Sequence, residues 1–240
     1  MQLRHYLSEG ISMIELDCGK VNAFTRDDVE TFESLINEAE SMYGPYRVLV
    51  LRSTKVSPKG KPIFCAGADQ DERTTWTKDS IAPYVAFERS VIMRLRKTSL
   101  FVVSVVDGYA LGLGSEICAS SDFVYATPRA RFGFPEARLS LVPGAGGTAW
   151  ALQNPHAFNH LIFGDEFDRD EAKRIGLVHE FAESEEAALR KLKTISESLV
   201  RVSSYSQQAL KQARYEAWNE LDLLKYEARA YREALSHKII

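Results

Sequence analysis

The fold is decided by the stretch Leu100-Phe-Val-Val-Ser-Val-Val106-Asp-Gly-Tyr-Ala-Leu-Gly-Leu-Gly-Ser-Glu116-Ile-Cys-Ala-Ser120. Its first seven residues form an apolar run of the kind found in strands that are covered on both faces of a parallel sheet. Glycines then mark a turn, and residues 114–120 are predicted to form a buried helix. A strand followed by a buried helix is the unit from which α/β proteins are built.

Strands and helices alternate along the chain on both sides of this stretch. Strands are predicted over residues 11–17, 47–51, 63–66 and 123–126, and helices over residues 26–42, 81–97 and 147–153. Residues 69–79 are expected to form a polar loop. Because such alternation implies right-handed βαβ units, we predict an α/β core domain over residues 1–183. Residues 184–240 are helical in character and are predicted to form a separate C-terminal region.

The composition narrows the classes of protein. The chain has 240 residues and is 45% hydrophobic, which is enough to bury one substantial core. A net charge of −3 provides no basic field for binding nucleic acid or anionic membranes. The three cysteines are widely spaced, as expected for reduced thiols. Their spacing does not match that of metal-binding cysteines. Without a signal core at the N-terminus or an apolar run of membrane-spanning length, we expect a cytoplasmic protein.

Two glutamates stand where a globular protein normally places no charge. Glu116 closes the stretch quoted above, and Glu136 closes Arg131-Phe-Gly-Phe-Pro-Glu136. A carboxylate in an apolar environment is costly unless it is paired, hydrogen-bonded or protonated, so we interpret the two as a candidate acid/base pair. Structural roles remain open for each: Glu116 at the positive end of a helix dipole, and Glu136 as the cap of a turn.

Two glycine-containing segments are candidates for an oxyanion-binding site. Both Cys65-Ala-Gly-Ala-Asp69 and Gly112-Leu-Gly-Ser-Glu116 place small residues where a strand ends. The second also begins a helix, so free backbone N–H groups can converge there on one negatively charged atom. The alternative is that these glycines only permit tight turns and close helix packing.

Two other motifs match known binding-site patterns only in part. Gly144-Ala-Gly-Gly-Thr-Ala149, with Asp165 further on, matches a loose dinucleotide-binding fingerprint, but Pro143 interrupts the strand that should precede it. His156 and His160 have the spacing of a zinc-binding helix, but a metalloprotease glutamate is missing between them. We therefore predict no metal and no bound cofactor.

The motifs, in this order and spacing, resemble the crotonase family, the enoyl-CoA hydratase/isomerase superfamily. The resemblance covers most of the chain. The matching stretches are Val21-Asn-Ala-Phe24, Phe64-Cys-Ala-Gly-Ala-Asp69, the stretch from Val106 to Asp122, the stretch from Ala130 to Glu136, Leu141-Val-Pro-Gly-Ala-Gly-Gly-Thr148, and the segment containing Ala172, Gly176, Leu177 and Val178.

The resemblance implies a spiral of ββα units with a helical C-terminal region that forms trimers, often as a dimer of trimers. It implies acyl-CoA thioesters as substrates, with no separate cofactor. The backbone N–H groups of Ala68 and Leu113 would form the oxyanion hole. The residues implied to line the substrate and CoA site are Val21, Ala23, Ala66, Asp69, Gln70, Asp71, Gly112 and Phe134.

Hydratases of this family use two glutamates in the positions of Glu116 and Glu136, whereas many isomerases and decarboxylases keep one or neither. The resemblance therefore favours hydration of a trans-2-enoyl-CoA to a 3-hydroxyacyl-CoA, with Glu116 activating water and Glu136 donating a proton. Two alternatives stay open. The first is a Δ3,Δ2-enoyl-CoA isomerase, and the second is a crotonase-fold scaffold or binding protein with little turnover.

Three departures from the hydratase pattern bear on the substrate. Leu113 stands where hydratases commonly have glycine, and Phe134 replaces a common polar residue, which predicts a narrower and more apolar pocket. Asp71 and Glu72 stand where a lysine often meets the CoA phosphates. A thioester of a carrier protein is therefore an alternative substrate.

Overall fold

The computed structural model describes residues 1–6, 10–220, 225, 227–229 and 231–233 of the chain. The strands are β1 (Gln2–Tyr6), β2 (Ile11–Glu15), β3 (Ala23–Phe24), β4 (Val48–Arg52), β5 (Ile63–Cys65), β6 (Gly67–Ala68), β7 (Phe101–Val106), β8 (Tyr109–Leu111), β9 (Phe123–Ala126), β10 (Arg131–Gly133), β11 (Glu166–Asp168) and β12 (Glu180–Phe181). The helices are α1 (Arg26–Ser41), α2 (Gln70–Thr74), α3 (Lys78–Lys97), α4 (Leu113–Ser120), α5 (Gly147–Leu152), α6 (Phe158–Phe163), α7 (Arg169–Arg174), α8 (Glu185–Val200) and α9 (Ser204–Glu220).

The chain winds as a spiral between sheets. β2, β4, β7 and β9 lie side by side and parallel in the larger sheet, whose order is β1-β2-β4-β7-β9-β12. β4, β7 and β9 are followed by β5, β8 and β10, which are parallel neighbours in the second sheet. The third sheet contains β3 and β6. Repeated ββα units are therefore observed, and the predicted fold class is confirmed.

Most of the predicted elements agree with the structure to within a few residues, and the region expected to be a polar loop shows the main difference. Residues 69–79 contain α2 because the Asp69 carboxylate accepts a hydrogen bond from the Glu72 N–H at 2.8 Å and caps the helix. Thr77 caps α3 in the same way, so that helix begins at Lys78 and not at residue 81. β6 and β8, with two and three residues, are not among the predicted strands, because neither shows an apolar period.

The helical C-terminal region packs directly on the α/β core. The Arg47 guanidinium donates to the carbonyl groups of Leu199 and Val202, each at 2.7 Å. Lys211 is buried and forms an ion pair with Asp122 of the core. A role of residues 184–240 in oligomerisation stays a prediction. The expected helix beyond residue 220 lies partly outside the described residues.

None of the helices in the described part of the chain is both long enough and apolar enough to cross a membrane.

Asn22 ties the beginning of the spiral together. Its side chain is fully buried and accepts from the Cys18 N–H at 2.7 Å. It donates to the Ser53 hydroxyl at 2.7 Å and to the Phe64 carbonyl at 3.1 Å. Its φ of 51° lies in the left-handed region, which asparagine tolerates better than most residues. One side chain thus links the loop that precedes β3 to the end of β4 and to β5.

Asn22→Ala is expected to lower the free energy of unfolding by about 2–4 kcal/mol, because buried partners lose their hydrogen bonds and alanine is strained at positive φ. Asn22→Gly loses the same hydrogen bonds without the backbone strain and is expected to be more stable than Asn22→Ala by about 1 kcal/mol. Urea denaturation of both variants measures the difference. Equal stability of the two would show that the backbone conformation contributes nothing.

Candidate active site

Two tight turns meet at the start of α4. Gly67, at the beginning of β6, has a φ of 107°, and Gly112, which precedes α4, has a φ of 53°. A Cβ atom on Gly67 would lie 3.2 Å from the Leu111 carbonyl oxygen and 3.8 Å from the Leu113 backbone nitrogen. Glycine is therefore required at position 67 both for its backbone conformation and for the close approach of the two turns.

The meeting of the turns brings Ala68 and Leu113 into the lining of one cavity. Leu113 is the first residue of α4, so its N–H group has no acceptor within the helix. Gly114 lies against the backbone of Cys65, where any side chain would overlap the Cys65 carbonyl group. All residues of α4 are buried, so the dipole of this helix acts in an environment with little water.

Glu116 lies on α4 and is only 3% exposed. Its Oε1 atom accepts hydrogen bonds from the N–H groups of Ala145 at 2.7 Å and Gly147 at 3.0 Å. Burial, together with the nearby carboxylates of Glu136 and Glu227, raises the pKa of Glu116 well above its usual value, against the effect of the two donors. The two hydrogen bonds therefore hold the carboxyl group in place, and its raised pKa means that it binds a proton more tightly than an exposed glutamate does.

Glu136 lies in a 3₁₀ turn, Pro135–Leu139, next to the Gly112 turn. A Cβ atom on Gly112 would lie 3.0 Å from the Glu136 Oε1 atom, so the carboxyl group rests against the start of α4. Its Oε2 atom is enclosed and has no hydrogen-bond partner in the described part of the protein. Burial raises the pKa of Glu136 to about 7, although Arg73 acts in the opposite direction.

The two glutamates and the two turns line one cavity of about 110 Å³. Of the predicted site residues, the cavity brings together Ala66, Ala68, Gln70, Gly112, Leu113, Glu116 and Glu136. Val21, Ala23, Asp69, Asp71 and Phe134 are not among the described residues that line it. Its apolar wall comes from Leu139, Leu141 and Val142.

Phe134, expected to form part of the pocket wall, lies in the core. It is fully buried, with its ring stacked on Trp150 at 5.9 Å and on Phe167 at 6.4 Å between ring centroids. The residue at this position therefore supports the turn that carries Glu136, and its effect on the cavity is indirect.

Sequence reasoning missed a buried ion pair in the cavity wall. Arg73 of α2 donates to both carboxylate oxygens of Glu88 of α3, each at 2.8 Å. Tyr231 lies on the same wall, with its hydroxyl group 3.5 Å from Arg73. These residues come from three separate helical segments, and no sequence motif connects them.

Sequence reasoning also missed Glu227, a further buried carboxylate. Its Oε1 atom accepts from the Gly146 N–H at 2.8 Å, and its Oε2 atom accepts from the Ala149 N–H at 3.0 Å. The glycine-rich segment 144–149 therefore donates its N–H groups to Glu116 and Glu227. Side-chain carboxylates occupy the donors that a dinucleotide phosphate would need.

The histidine motif has a structural role. His160 is placed between Asp165, at 3.2 Å, and Glu171, at 2.8 Å, and holds α6 against α7. No group of three or more histidine, cysteine, aspartate or glutamate side chains within the described residues is arranged to hold a metal ion.

The spiral fold is shared with known structures. An enoyl-CoA hydratase/isomerase from Mycobacterium paratuberculosis superposes with a TM-score of 0.81 at 18% identity, covering 98% of this chain and 92% of that one. The model of the enoyl-CoA hydratase/isomerase family matches residues 7–239, so the chain belongs to this family. The resemblance to crotonases is therefore confirmed.

Two curated relatives carry different activities in their names. Mouse mitochondrial methylglutaconyl-CoA hydratase is 30% identical over 203 residues, which are 80% of this chain and 62% of the mouse protein. An enoyl-CoA isomerase/hydratase of Mycosarcoma maydis is 33% identical over 140 residues, which are 57% of this chain and 49% of the fungal protein. The chain thus spans about half to three fifths of the length of these relatives.

Proposed function

We propose that the protein hydrates a trans-2-enoyl thioester to the 3-hydroxyacyl thioester. The observation that carries this proposal is the placement of two glutamates, Glu116 and Glu136, in one small cavity beside two converging backbone turns. A hydration needs one group to take a proton from water and another to deliver a proton to carbon. It also needs donors for the enolate oxygen, a role that suits the N–H groups of Ala68 and Leu113.

The surroundings of the two carboxyl groups favour different roles. Burial raises the pKa of both carboxyl groups, but the two backbone N–H groups that donate to Glu116 oppose this rise and stabilise its ionised form. The enclosed Oε2 atom of Glu136 has no donor among the described residues, which favours its protonated form. Two like charges in one dry site also disfavour double ionisation, so the pair shares a proton. Glu116 is thus suited to act as the base and Glu136 as the acid.

The reaction then follows a balanced path. Glu116 removes a proton from water, and the resulting hydroxide equivalent forms the bond to C3 of the enoyl group. The electrons of the double bond move to the thioester oxygen, where the two N–H groups and the N-terminus of α4 stabilise the charge. Glu136 delivers its proton to C2, and the proton held by Glu116 restores the shared state of the pair.

The size and lining of the cavity favour a short acyl group. The cavity has a volume of about 110 Å³, and Leu139, Leu141 and Val142 give it an apolar wall against which a short acyl chain can pack. The carrier of the thioester is CoA in this proposal, because the family acts on acyl-CoA. A carrier-protein thioester remains an alternative drawn from the acidic residues Asp71 and Glu72, and a homotrimer or dimer of trimers remains a prediction from the resemblance.

A Δ3,Δ2-enoyl-CoA isomerase is the second candidate, because the relative from Mycosarcoma maydis carries both activities in its name. In an isomerase, one carboxylate moves a proton between two carbons, and no water is added. Purified protein is incubated separately with crotonyl-CoA and with a 3-enoyl-CoA in heavy-oxygen water, and the products are identified by mass spectrometry. A labelled 3-hydroxyacyl-CoA from crotonyl-CoA supports hydration, whereas an unlabelled 2-enoyl-CoA as the end product supports isomerisation. No conversion of either thioester would exclude both enzymes and leave a binding protein.

The pH dependence of hydration tests the role of Glu136. A proton donor works only while it is protonated, so kcat/KM is expected to fall as the pH rises through the pKa of about 7. The profile is measured with crotonyl-CoA between pH 5 and pH 9 at constant ionic strength. A rate that stays constant through this range would contradict the assignment of Glu136 as the acid.

A further inference from the structure

We propose that Glu227 is a positioning residue that holds the segment 144–149 so that its N–H groups orient Glu116. This inference rests on the proposed hydration, in which Glu116 is the base. Glu227 belongs to the C-terminal helical region, more than 100 residues away from Glu116 in the chain.

The segment 144–149 is bound from both sides by carboxylates. The N–H groups of Ala145 and Gly147 donate to Glu116, while those of Gly146 and Ala149 donate to Glu227. Consecutive N–H groups at positions 145, 146 and 147 therefore alternate between the two acceptors. Because adjacent peptide groups are joined through the same backbone, a movement that releases Gly146 from Glu227 is expected to disturb the neighbouring N–H groups that hold Glu116.

Glu227 is itself anchored strongly enough to fix this segment. Its side chain is fully buried, and Arg89 of α3 forms an ion pair with its Oε1 atom at 3.2 Å. An ionised carboxylate remains in such a site only when a countercharge and hydrogen-bond donors replace water. Arg89, Gly146 and Ala149 supply these partners, so the two oxygens of Glu227 are restrained in different directions.

The flexible sequence between the two anchors explains why such a support is needed. Gly144, Gly146 and Gly147 leave the backbone many accessible conformations in the absence of restraints. Gly146 has a φ of 112°, a conformation that other residues avoid. Without Glu227, the loop and the first turn of α5 would have to hold the two N–H donors toward Glu116.

The charge of Glu227 acts on the pKa of Glu116 in addition to any effect of Glu227 on the position of Glu116. The charged and titratable groups around Glu116 include Glu136, Glu227 and the Tyr231 hydroxyl, with Arg89 beside Glu227 and the Arg73–Glu88 ion pair beside Glu136. Removing the charge of Glu227 would by itself lower the pKa of Glu116, because the repulsion between the two disappears. That effect moves the acid limb of the pH profile to lower pH and leaves the plateau rate unchanged.

The test compares Glu227→Gln with Lys211→Met. Lys211 also forms a buried ion pair between the C-terminal region and the core, but it lies outside the cavity wall, so its loss controls for general destabilisation. Plateau kcat, KM and the pH profile for crotonyl-CoA hydration are measured for both variants. Exchange of the backbone N–H groups of the segment 144–149 is followed by NMR, which requires no activity.

Positioning by Glu227 predicts that Glu227→Gln lowers the plateau kcat by about 10–100-fold with little change in KM, as expected for a misplaced catalytic group. It also predicts faster N–H exchange at Ala145 and Gly147, whose N–H groups donate to Glu116 and not to Glu227. Lys211→Met is expected to keep both the plateau rate and the exchange at these two positions.

Faster exchange confined to Gly146 and Ala149, or a displaced acid limb with an unchanged plateau, would overturn the positioning role. If the wild-type protein does not hydrate crotonyl-CoA, the exchange measurement still decides the structural coupling. In that case the proposed function fails independently of the inference.

Discussion

Glu116→Gln and Glu136→Gln are each expected to lower kcat for crotonyl-CoA hydration by about 10²–10⁴-fold, the usual contribution of a positioned acid or base. Glutamine keeps the size of the side chain but can neither take a proton from water nor supply one to carbon. Because the two groups share one proton cycle, the double variant is expected to lose little more than either single variant. Steady-state kinetics with crotonyl-CoA measure all three.

Glu185→Gln is a matched control for these substitutions. Glu185 is also a largely buried carboxylate, paired with Arg52 at 2.7 Å, but it does not line the cavity. Its variant is expected to keep the wild-type kcat. Full hydratase activity in Glu116→Gln or in Glu136→Gln would refute the paired mechanism. Isomerisation of a 3-enoyl-CoA that survives only one of the two substitutions would favour the single-carboxylate isomerase.

The second large effect is expected from Gly108→Ala, which should lower the free energy of unfolding by about 3–5 kcal/mol. Gly108 lies between β7 and β8 with a φ of 88°. A methyl group there would overlap the carbonyl group of Pro62, so β8 would have to move away from the segment that leads to β5. Since β8 leads directly to the turn at Gly112, we also expect the proposed hydratase activity to fall.

Gly60→Ala separates the two causes of this effect. Gly60 has a similar φ of 74°, but a Cβ atom there meets no atom within 4 Å. It therefore measures backbone strain alone, which is expected to cost about 1 kcal/mol. Urea denaturation of both variants gives the comparison. If Gly108→Ala were no less stable than Gly60→Ala, the close packing of β8 against Pro62 would not contribute to stability.

The regular elements and the main catalytic candidates are readable from the sequence because their signals are local. The apolar run that precedes Gly108 predicts a buried strand, and it is β7. Glu116 and Glu136 are conspicuous because each follows apolar residues and glycines. The short helix α2 was missed although Asp69 and Glu72 have the spacing of a capping interaction, so its signal was present in the sequence.

The neighbours of the two glutamates had no such signal. Arg73, Glu88 and Tyr231 come from distant helical segments, and each resembles an ordinary charged or aromatic residue on an amphipathic helix. Phe134, in contrast, was predicted to line the cavity because it precedes the Pro135–Glu136 pair. Its ring is instead buried in the core. The direction of a side chain in a turn depends on packing that adjacent residues do not determine.

The sequence by itself determined the α/β class, the order of the main elements and the residues that suit acid/base chemistry, because apolar periods, glycines and misplaced charges act over a few residues. The tertiary structure alone decided which groups surround Glu116. It placed the glycine-rich segment 144–149 between Glu116 and Glu227, so that the donors of an apparent phosphate-binding motif bind two carboxylates. Hydrogen bonds and burial depend on distances in space, and residues 116, 145 and 227 become neighbours only when the spiral closes.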